Sequence, residues 1–363
     1  MKSKLVKVLV ILLANIVVFG AAYFVLEYFA QRRMPPTRAQ FLTKEEARFY
    51  RHYASMTTHL REFQFLLHLS PDIKASTTDY MFTRIGGEGK TVLIQGDSWA
   101  EQFITSLGAY ATLDNFALAN HVNFVVGGTA SYAPSPMAVQ YRLLRKDFNV
   151  DPSVVVAIID QTDIGDELCR YRSQLSKDEH GELVVRPYES TDLMPYSIRN
   201  YFDLIDILDG EGGALLRLIK YKIKKLQIGG PSGCSQKTIL APTAGDLTAQ
   251  DRAYFGERIA EYISTVFRYS DKVEKLIFVT HFHRGHLTGE FSLNVSELIR
   301  DVVQKSPYRE RIIQLDFLPS DYGNEAGVSI FEEGDPFSHL TNTAHRQVYA
   351  RKILQKVQFA LGN

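Results

Sequence analysis

Gly96-Asp97-Ser98 stands directly behind the apolar run Thr91-Val92-Leu93-Ile94-Gln95 and ahead of Trp99-Ala100-Glu101-Gln102-Phe103-Ile104. A β-branched run, a tight turn and a helix-forming stretch follow in that order. The turn puts the Ser98 hydroxyl at the carboxyl end of a strand and near a helix N-terminus. Open α/β sheets form a crevice there, and helix amides stabilise negative charge. A serine so placed is a candidate nucleophile, which needs a base, an acid to orient that base, and donors for an oxyanion. Near the end of the chain, Asp335-Pro336-Phe337-Ser338-His339 precedes the last helical stretch. An acid and an imidazole about one turn apart can hydrogen-bond while the ring faces a crevice. Asp160-Gln161-Thr162-Asp163 also follows an apolar run. Each group has a plain structural explanation as well. Ser98 or Asp97 can cap a helix, Asp335 and Ser338 can cap the last one, and His339 can be a loop histidine. Capping alone, however, asks for no histidine near the C-terminus.

A rival constellation is His281-Phe282-His283-Arg284-Gly285-His286, behind the apolar run Leu276–Thr280. Imidazoles at this spacing suit zinc, and the motif resembles that of metallo-β-lactamase-fold hydrolases. That family carries Asp where Gly285 stands and places its motif early in the domain. The alternative expectation is that His281 and His283 line the cleft floor and contact substrate hydroxyls, or simply pack in a loop.

The elements that must position these groups are legible as alternating strand and helix. Strands are expected at Val92–Gln95, Val122–Val126, Val154–Ile159, Leu276–Thr280 and Ile312–Phe317, with helices at 99–110, 137–146 and 342–360. Val154–Ile159 is near-continuously apolar, the mark of a strand buried on both faces. Repeated βα units imply a mostly parallel sheet with right-handed crossovers and helices on either side, a three-layer α/β/α fold of five strands. Residues 166–247 read as an insertion beside the active-site face. It holds the basic Lys222-Ile223-Lys224-Lys225 and the turn-rich Gly229-Gly230-Pro231-Ser232-Gly233, and Thr248-x-x-Asp251 starts a further helix. Thr43-x-x-Glu46 is a capping box ahead of a helical lead-in.

With the blocks in this order, the chain resembles the SGNH (GDSL-type) hydrolase superfamily, and within it the membrane-anchored, exported proteins that acetylate or deacetylate cell-surface polysaccharides, such as the alginate acetylation proteins. Gly96, Asp97 and Ser98 match the first block. Asp335 and His339 match the last, with three residues between them where the family usually has two. Thr162 stands where the third block, Gly-x-Asn-Asp, has its oxyanion-binding Asn. The second block's glycine amide falls to Gly128 or Ser131. The resemblance spans about residues 90–165 and 273–360. It implies a flavodoxin-like fold and a Ser98–His339–Asp335 acyl-enzyme mechanism. The amides of Ser98 and Gly128 or Ser131, with the Thr162 side chain, would bind the oxyanion, and Asp97 and Asp163 would support the turn. It implies an acylated polysaccharide or glycolipid as substrate, a membrane acyl-transfer partner, and no cofactor or metal. The alternative from another class is a catalytically inactive scaffold of an envelope polysaccharide assembly.

Bulk composition narrows the setting. Lys plus Arg and Asp plus Glu balance at 41 each, so no global field attracts nucleic acid. From Val8 to Leu26 the only strongly polar residue is Asn15, a length close to the roughly 20 residues that cross a bilayer as a helix. Lys2, Lys4 and Lys7 precede it, which favours a single-pass signal-anchor (residues 1–31) in the inner membrane with the bulk in the periplasm. The alternative is a removable signal cleaved near Gly20-Ala21-Ala22. Residues 32–89 then form a linker and helical lead-in, and residues 90–363 the catalytic domain. Cys169 and Cys234 either pair in an oxidising compartment or stay as two thiols; their spacing demands neither.

Overall fold

The computed structural model describes residues 15, 18–30, 82–105, 107–185, 239–240, 247–325, 327–340 and 343–362. Its strands are β1 (Thr83–Gly86), β2 (Lys90–Gln95), β3 (Val122–Val126), β4 (Val154–Ile158), β5 (Leu175–Lys177), β6 (Leu183–Val185), β7 (Lys275–His281) and β8 (Ile312–Phe317). Helices α1 (Ser98–Thr105), α2 (Leu107–Asn120), α3 (Pro134–Phe148), α4 (Ala249–Tyr269), α5 (Arg284–Thr288), α6 (Val295–Lys305) and α7 (Thr343–Ala360) connect them. Six strands form one sheet in the order β1-β3-β2-β4-β7-β8, and β5 pairs with β6 in a separate hairpin. Every neighbouring pair in the large sheet is parallel except β1 with β3.

The apolar runs explain the layering. Alternate residues of a strand point to opposite faces, so each run feeds two cores. Leu93, Val125, Val155, Leu276 and Phe278 pack under α3, α4 and α6. Val92, Ile94, Phe124, Val156, Ile277 and Leu315 pack with residues of α1, α2 and α7. The structure is thus a three-layer α/β fold with a mostly parallel central sheet. Thr248 caps α4 through its hydroxyl, which accepts the Asp251 N–H at 3.1 Å.

Among the described residues, two expectations change. The sheet has six strands, because Thr83–Gly86 adds an antiparallel edge upstream of the boundary expected at residue 90. The helix behind β2 is two helices, α1 and α2, reaching Asn120 rather than ending near Tyr110. Residues 166–247 begin with a π-helical turn, Asp166–Tyr171, before the β5–β6 hairpin. Cys169 is disulfide-bonded. The chain's other cysteine, Cys234, the basic and glycine-rich stretches of the insertion, and the Thr43–Glu46 capping box lie outside the described residues. So does much of the 8–26 span; residues 18–30 are helical, and among the described residues no helix is long and apolar enough to cross a membrane.

From β2 the chain crosses to β3 on one side, then returns through α3 to β4 on the other side of β2. The carboxyl ends of β2 and β4 therefore flank a switch point, where such sheets open a crevice. Gly96 lets them meet. Its φ is 153°, and a Cβ there would lie 2.5 Å from the Ile158 carbonyl oxygen. Gly96→Ala should cost about 2 kcal/mol or more of unfolding free energy in urea denaturation; a loss below about 0.5 kcal/mol, the scale of an ordinary surface change, would show that the strand ends are free to part.

Candidate active site

Ser98 opens α1 directly after the Gly96 turn. The Asp97 carboxylate shapes that turn by accepting the Trp99 N–H at 2.9 Å, and the Glu101 N–H closes onto the Asp97 carbonyl at 3.0 Å. The His339 Nε2 lies 2.7 Å from the Ser98 Oγ, although 241 residues separate them in sequence. On the other side of the ring, Nδ1 is 2.8 Å from Asp335 Oδ2. The three side chains form one hydrogen-bonded line. Burial alone would raise the Asp335 carboxyl, but the His339 ring and the amides of His339 and Phe337 hold it down at about 2. Asp335 is therefore ionised at neutral pH, Nδ1 carries the imidazole proton, and Nε2 is left as the acceptor for the serine hydroxyl.

The longer Asp335–His339 spacing closes because Ser338 adopts a left-handed φ of 60°. The Asp335 carboxylate accepts the Phe337 N–H at 3.1 Å and the His339 N–H at 2.7 Å, so it shapes the loop as well as the ring. Sequence reasoning missed what holds this loop from outside. The His283 Nδ1 accepts the Gly285 N–H at 3.1 Å, which leaves Nε2–H to donate to the Pro336 carbonyl at 3.0 Å. The Arg284 N–H donates to Ser338 Oγ at 3.1 Å, and its guanidinium donates to the Glu332 carbonyl. The Glu332 N–H in turn donates to the His339 carbonyl at 2.8 Å.

The histidine motif is thereby accounted for, and two expectations are corrected. His281 does not line the cleft floor. It is buried, donates from Nδ1 to the Phe282 carbonyl at 2.5 Å, and accepts from the Tyr322 hydroxyl at 2.8 Å. Trp99 packs over it with ring centroids 4.7 Å apart. His283 and His286 form a reciprocal cap on α5, and the His286 Nε2–H donates to the Leu293 carbonyl at 2.9 Å. All three rings are held by partners inside the fold, so they do not present a zinc triad. Burial lowers His281 to about 3 and His283 to about 4.

The oxyanion candidates divide. Among the described residues no acceptor takes the Ser98 or Gly128 N–H. Gly128 runs against the first turn of α1, where a Cβ would meet the Glu101 nitrogen at 2.3 Å. The Thr129 N–H donates to the Gly96 carbonyl at 3.1 Å, pinning this loop beside the serine. Behind it a buried network, which sequence reasoning also missed, fixes the same loop. Gln95 donates to Gln140 at 2.7 Å, Gln140 donates to the Gly127 carbonyl at 2.8 Å, and the Tyr262 hydroxyl donates to Gln95 at 3.0 Å. Ser131 sits at a φ of 63°, and its carbonyl accepts from the Tyr171 hydroxyl. Thr162 departs from expectation: its hydroxyl donates to Asp160 Oδ1 at 2.7 Å and so is not directed at an oxyanion.

Asp160 uses that same Oδ1 to accept the N–H groups of Thr162 at 2.6 Å and Asp163 at 3.1 Å. The Asp163 Oδ2 accepts the Asp160 N–H at 3.0 Å. Asp97, Asp160 and Asp163 bring oxygens within 4.8 Å of one another; among the described residues they are the one acidic or imidazole group close enough to share a cation. Burial raises all three carboxyls, and mutual repulsion pushes Asp97 and Asp163 further, well above the usual carboxylate range. Asp166, paired with Arg170 at 2.9 Å, is raised by burial to about 7.

No protein-family model matches the chain, and no curated protein does. Solved structures of similar shape include LAE5, an alpha/beta hydrolase enzyme from the metagenome of Lake Arreo, at 13% identity and a TM-score of 0.40 over 74% of this chain and 95% of that one. The acetyl xylan esterase Est2A from the rumen bacterium Butyrivibrio proteoclasticus aligns at 8% identity and a TM-score of 0.38, covering 77% of this chain and 66% of its own. A catalytic mutant of Axe2, an acetylxylan esterase from Geobacillus stearothermophilus, aligns at 10% identity and 0.37 over 75% and 95%.

His281 supplies a pH test. An unfolded histidine protonates near 6.5, whereas the folded ring stays neutral to about 3, so stability is lost as pH falls through that window. The difference in unfolding free energy between wild type and His281→Phe should shift against wild type by about 1 kcal/mol per pH unit from pH 6 to 4. A pH-independent difference would mean that the ring protonates inside the fold.

Proposed function

We propose that this chain is an SGNH-type serine acyl-transfer enzyme acting on ester-linked acyl groups, acetyl foremost, of a cell-surface polysaccharide or glycolipid. The observation that carries the reading is the Ser98–His339–Asp335 line, with contacts of 2.7 and 2.8 Å. Ser98 Oγ attacks the ester carbonyl carbon as its proton passes to His339 Nε2. Asp335 supports the imidazolium through Nδ1–H. The Ser98 and Gly128 amides receive the developing oxyanion. Collapse of the tetrahedral intermediate breaks the ester C–O bond, and His339 returns the proton to the leaving alcohol. The acyl-enzyme then passes its acyl group to water or to a sugar hydroxyl, which His339 deprotonates in turn. No step calls on a metal or dissociable cofactor.

The setting follows the sequence. The apolar span over residues 8–26 tethers the enzyme beside a membrane acyl donor, with the catalytic domain in the periplasm. Helical residues 18–30 keep Phe19, Phe24 and Leu26 exposed, which supports an apolar surrounding for them. Thr162 engages Asp160 rather than the site, leaving the oxyanion to backbone amides, and this one feature favours the inactive-scaffold reading.

A serine-directed fluorophosphonate and a chromogenic acetyl ester, each with and without an oligosaccharide acceptor, separate these readings. Ser98→Ala should abolish labelling, and Ser98→Ala or His339→Ala should lower ester turnover by on the order of 1,000-fold or more. Acceptor-dependent mass gain marks a transferase, and release to water alone an esterase. Well-folded wild type that neither labels nor turns over would leave the scaffold.

A further inference from the structure

With a neutral His339 ring and an ionised Asp97, the hydrogen count at Ser98 Oγ does not close. The oxygen has two close partners, His339 Nε2 at 2.7 Å and Asp97 Oδ2 at 3.1 Å, and the hydroxyl has one hydrogen. Asp335 keeps a proton on His339 Nδ1, so in the neutral ring Nε2 is an acceptor and claims that hydrogen. The Ser98–Asp97 contact is then oxygen to oxygen and needs a hydrogen of its own. Asp97 Oδ1 is already an acceptor for the Trp99 N–H.

The surroundings supply the proton. Asp160 and Asp163 face Asp97 with oxygens within 4.8 Å, and Asp166 adds a further negative field from the following turn. The Asp166–Arg170 pair spends its cation on Asp166, and Tyr349, from α7, faces the group as a neutral phenol. Among the described residues, no hydrogen-bond partner meets the buried Asp160 Oδ2 or Asp163 Oδ1. Three carboxylates sealed this closely cannot all ionise.

Resting on the acyl-transfer reading above, we infer that Asp97 is a further catalytic residue that works as a neutral carboxylic acid, its Oδ2–H donating to Ser98 Oγ while the serine hydrogen points at His339. The step balances. On attack the serine proton moves to Nε2, Oγ bonds to the acyl carbon, and the Asp97 proton stays on Asp97, whose contact with Oγ orients the oxygen's lone pair toward the substrate. Burial and the neighbouring carboxylates raise Asp97 in the direction this role requires.

Asparagine reproduces the acid: its Oδ1 can accept from Trp99 and its Nδ2 donate to Ser98. The test compares fluorophosphonate labelling rates of the full chain for wild type, Ser98→Ala, Asp97→Asn and Asp97→Ala across pH. Asp97→Asn is expected to label within about fivefold of wild type at neutral pH and to lack the alkaline fall that wild type shows as Asp97 ionises. Asp97→Ala is expected to label about a hundredfold more slowly. If Asp97→Asn falls as far as Asp97→Ala while Ser98→Ala is inert, the charged form is required and the inference is overturned, with the acyl-transfer reading intact. If Ser98→Ala labels like wild type, both readings fall. Should the Asp97 variants not fold, infrared spectra of wild type and Ser98→Ala decide. A protonated-carboxyl C=O band that shifts when the serine hydroxyl is removed supports the inference, and no shifting band overturns it. A magnesium- or calcium-dependent rise in Tm that is lost on replacing Asp163 with Asn would also overturn it, since a cation and not a proton would then neutralise the cluster.

Discussion

Everything at the carboxyl edge of the sheet hangs on how closely two backbone segments approach. The end of β2 turns at Gly96 against the carbonyl of Ile158 at the end of β4, in a space that no side chain can share. That approach fixes the start of α1 and therefore the Ser98 hydroxyl. It also brings Asp97 against Asp160 and Asp163, so the placement of Ser98 and the crowding of the acids are one constraint. The loop after β3 is held by the same geometry, since Thr129 donates to the Gly96 carbonyl and Gly127 to the Ile94 carbonyl.

His339 arrives from the far end of the chain and is held differently. The Asp335–His339 loop has little regular structure, so its precision comes from hydrogen bonds to the corner after β7. Neutral imidazoles serve well there. His281 and His283 each offer one donor and one acceptor in fixed directions, and burial keeps both uncharged. His283 and Arg284 therefore act on His339 through the loop, by their hydrogen bonds to the Pro336 carbonyl and Ser338 Oγ.

Much of this was legible in the residues themselves. Val122–Val126 and Ile312–Phe317 fold as strands over the bounds expected, because apolar residues dominate both although Asn123, Gln314 and Asp316 interrupt them. The meeting of Ser98, His339 and Asp335 has visible sequence signals: a Gly-Asp-Ser turn at a strand end, and an acid and a histidine together ahead of the last helix. The edge strand Thr83–Gly86 was hidden: Arg84 and Gly86 break any apolar run, and one face is exposed. The role of the histidine corner was hidden for another reason. Its partners are carbonyls at Pro336 and Leu293, and backbone acceptors leave no mark in a sequence. Asp160 stands in the sequence only as one member of a polar block behind an apolar run, since nothing local tells that Asp97 folds in beside it. Thr162 was placed by family pattern alone, and the nearby Asp160 carboxylate redirects its hydroxyl.

Trp99 is the chain's one tryptophan. Its indole packs beside two imidazoles, His281 at 4.7 Å and His339 at 6.2 Å between ring centroids. Burial holds His281 neutral down to about 3, so that ring is a constant neighbour over the ordinary range. The intrinsic fluorescence of the whole molecule therefore comes from a single ring beside Ser98 and His339, an optical reporter of what enters or leaves that corner, readable without a dye.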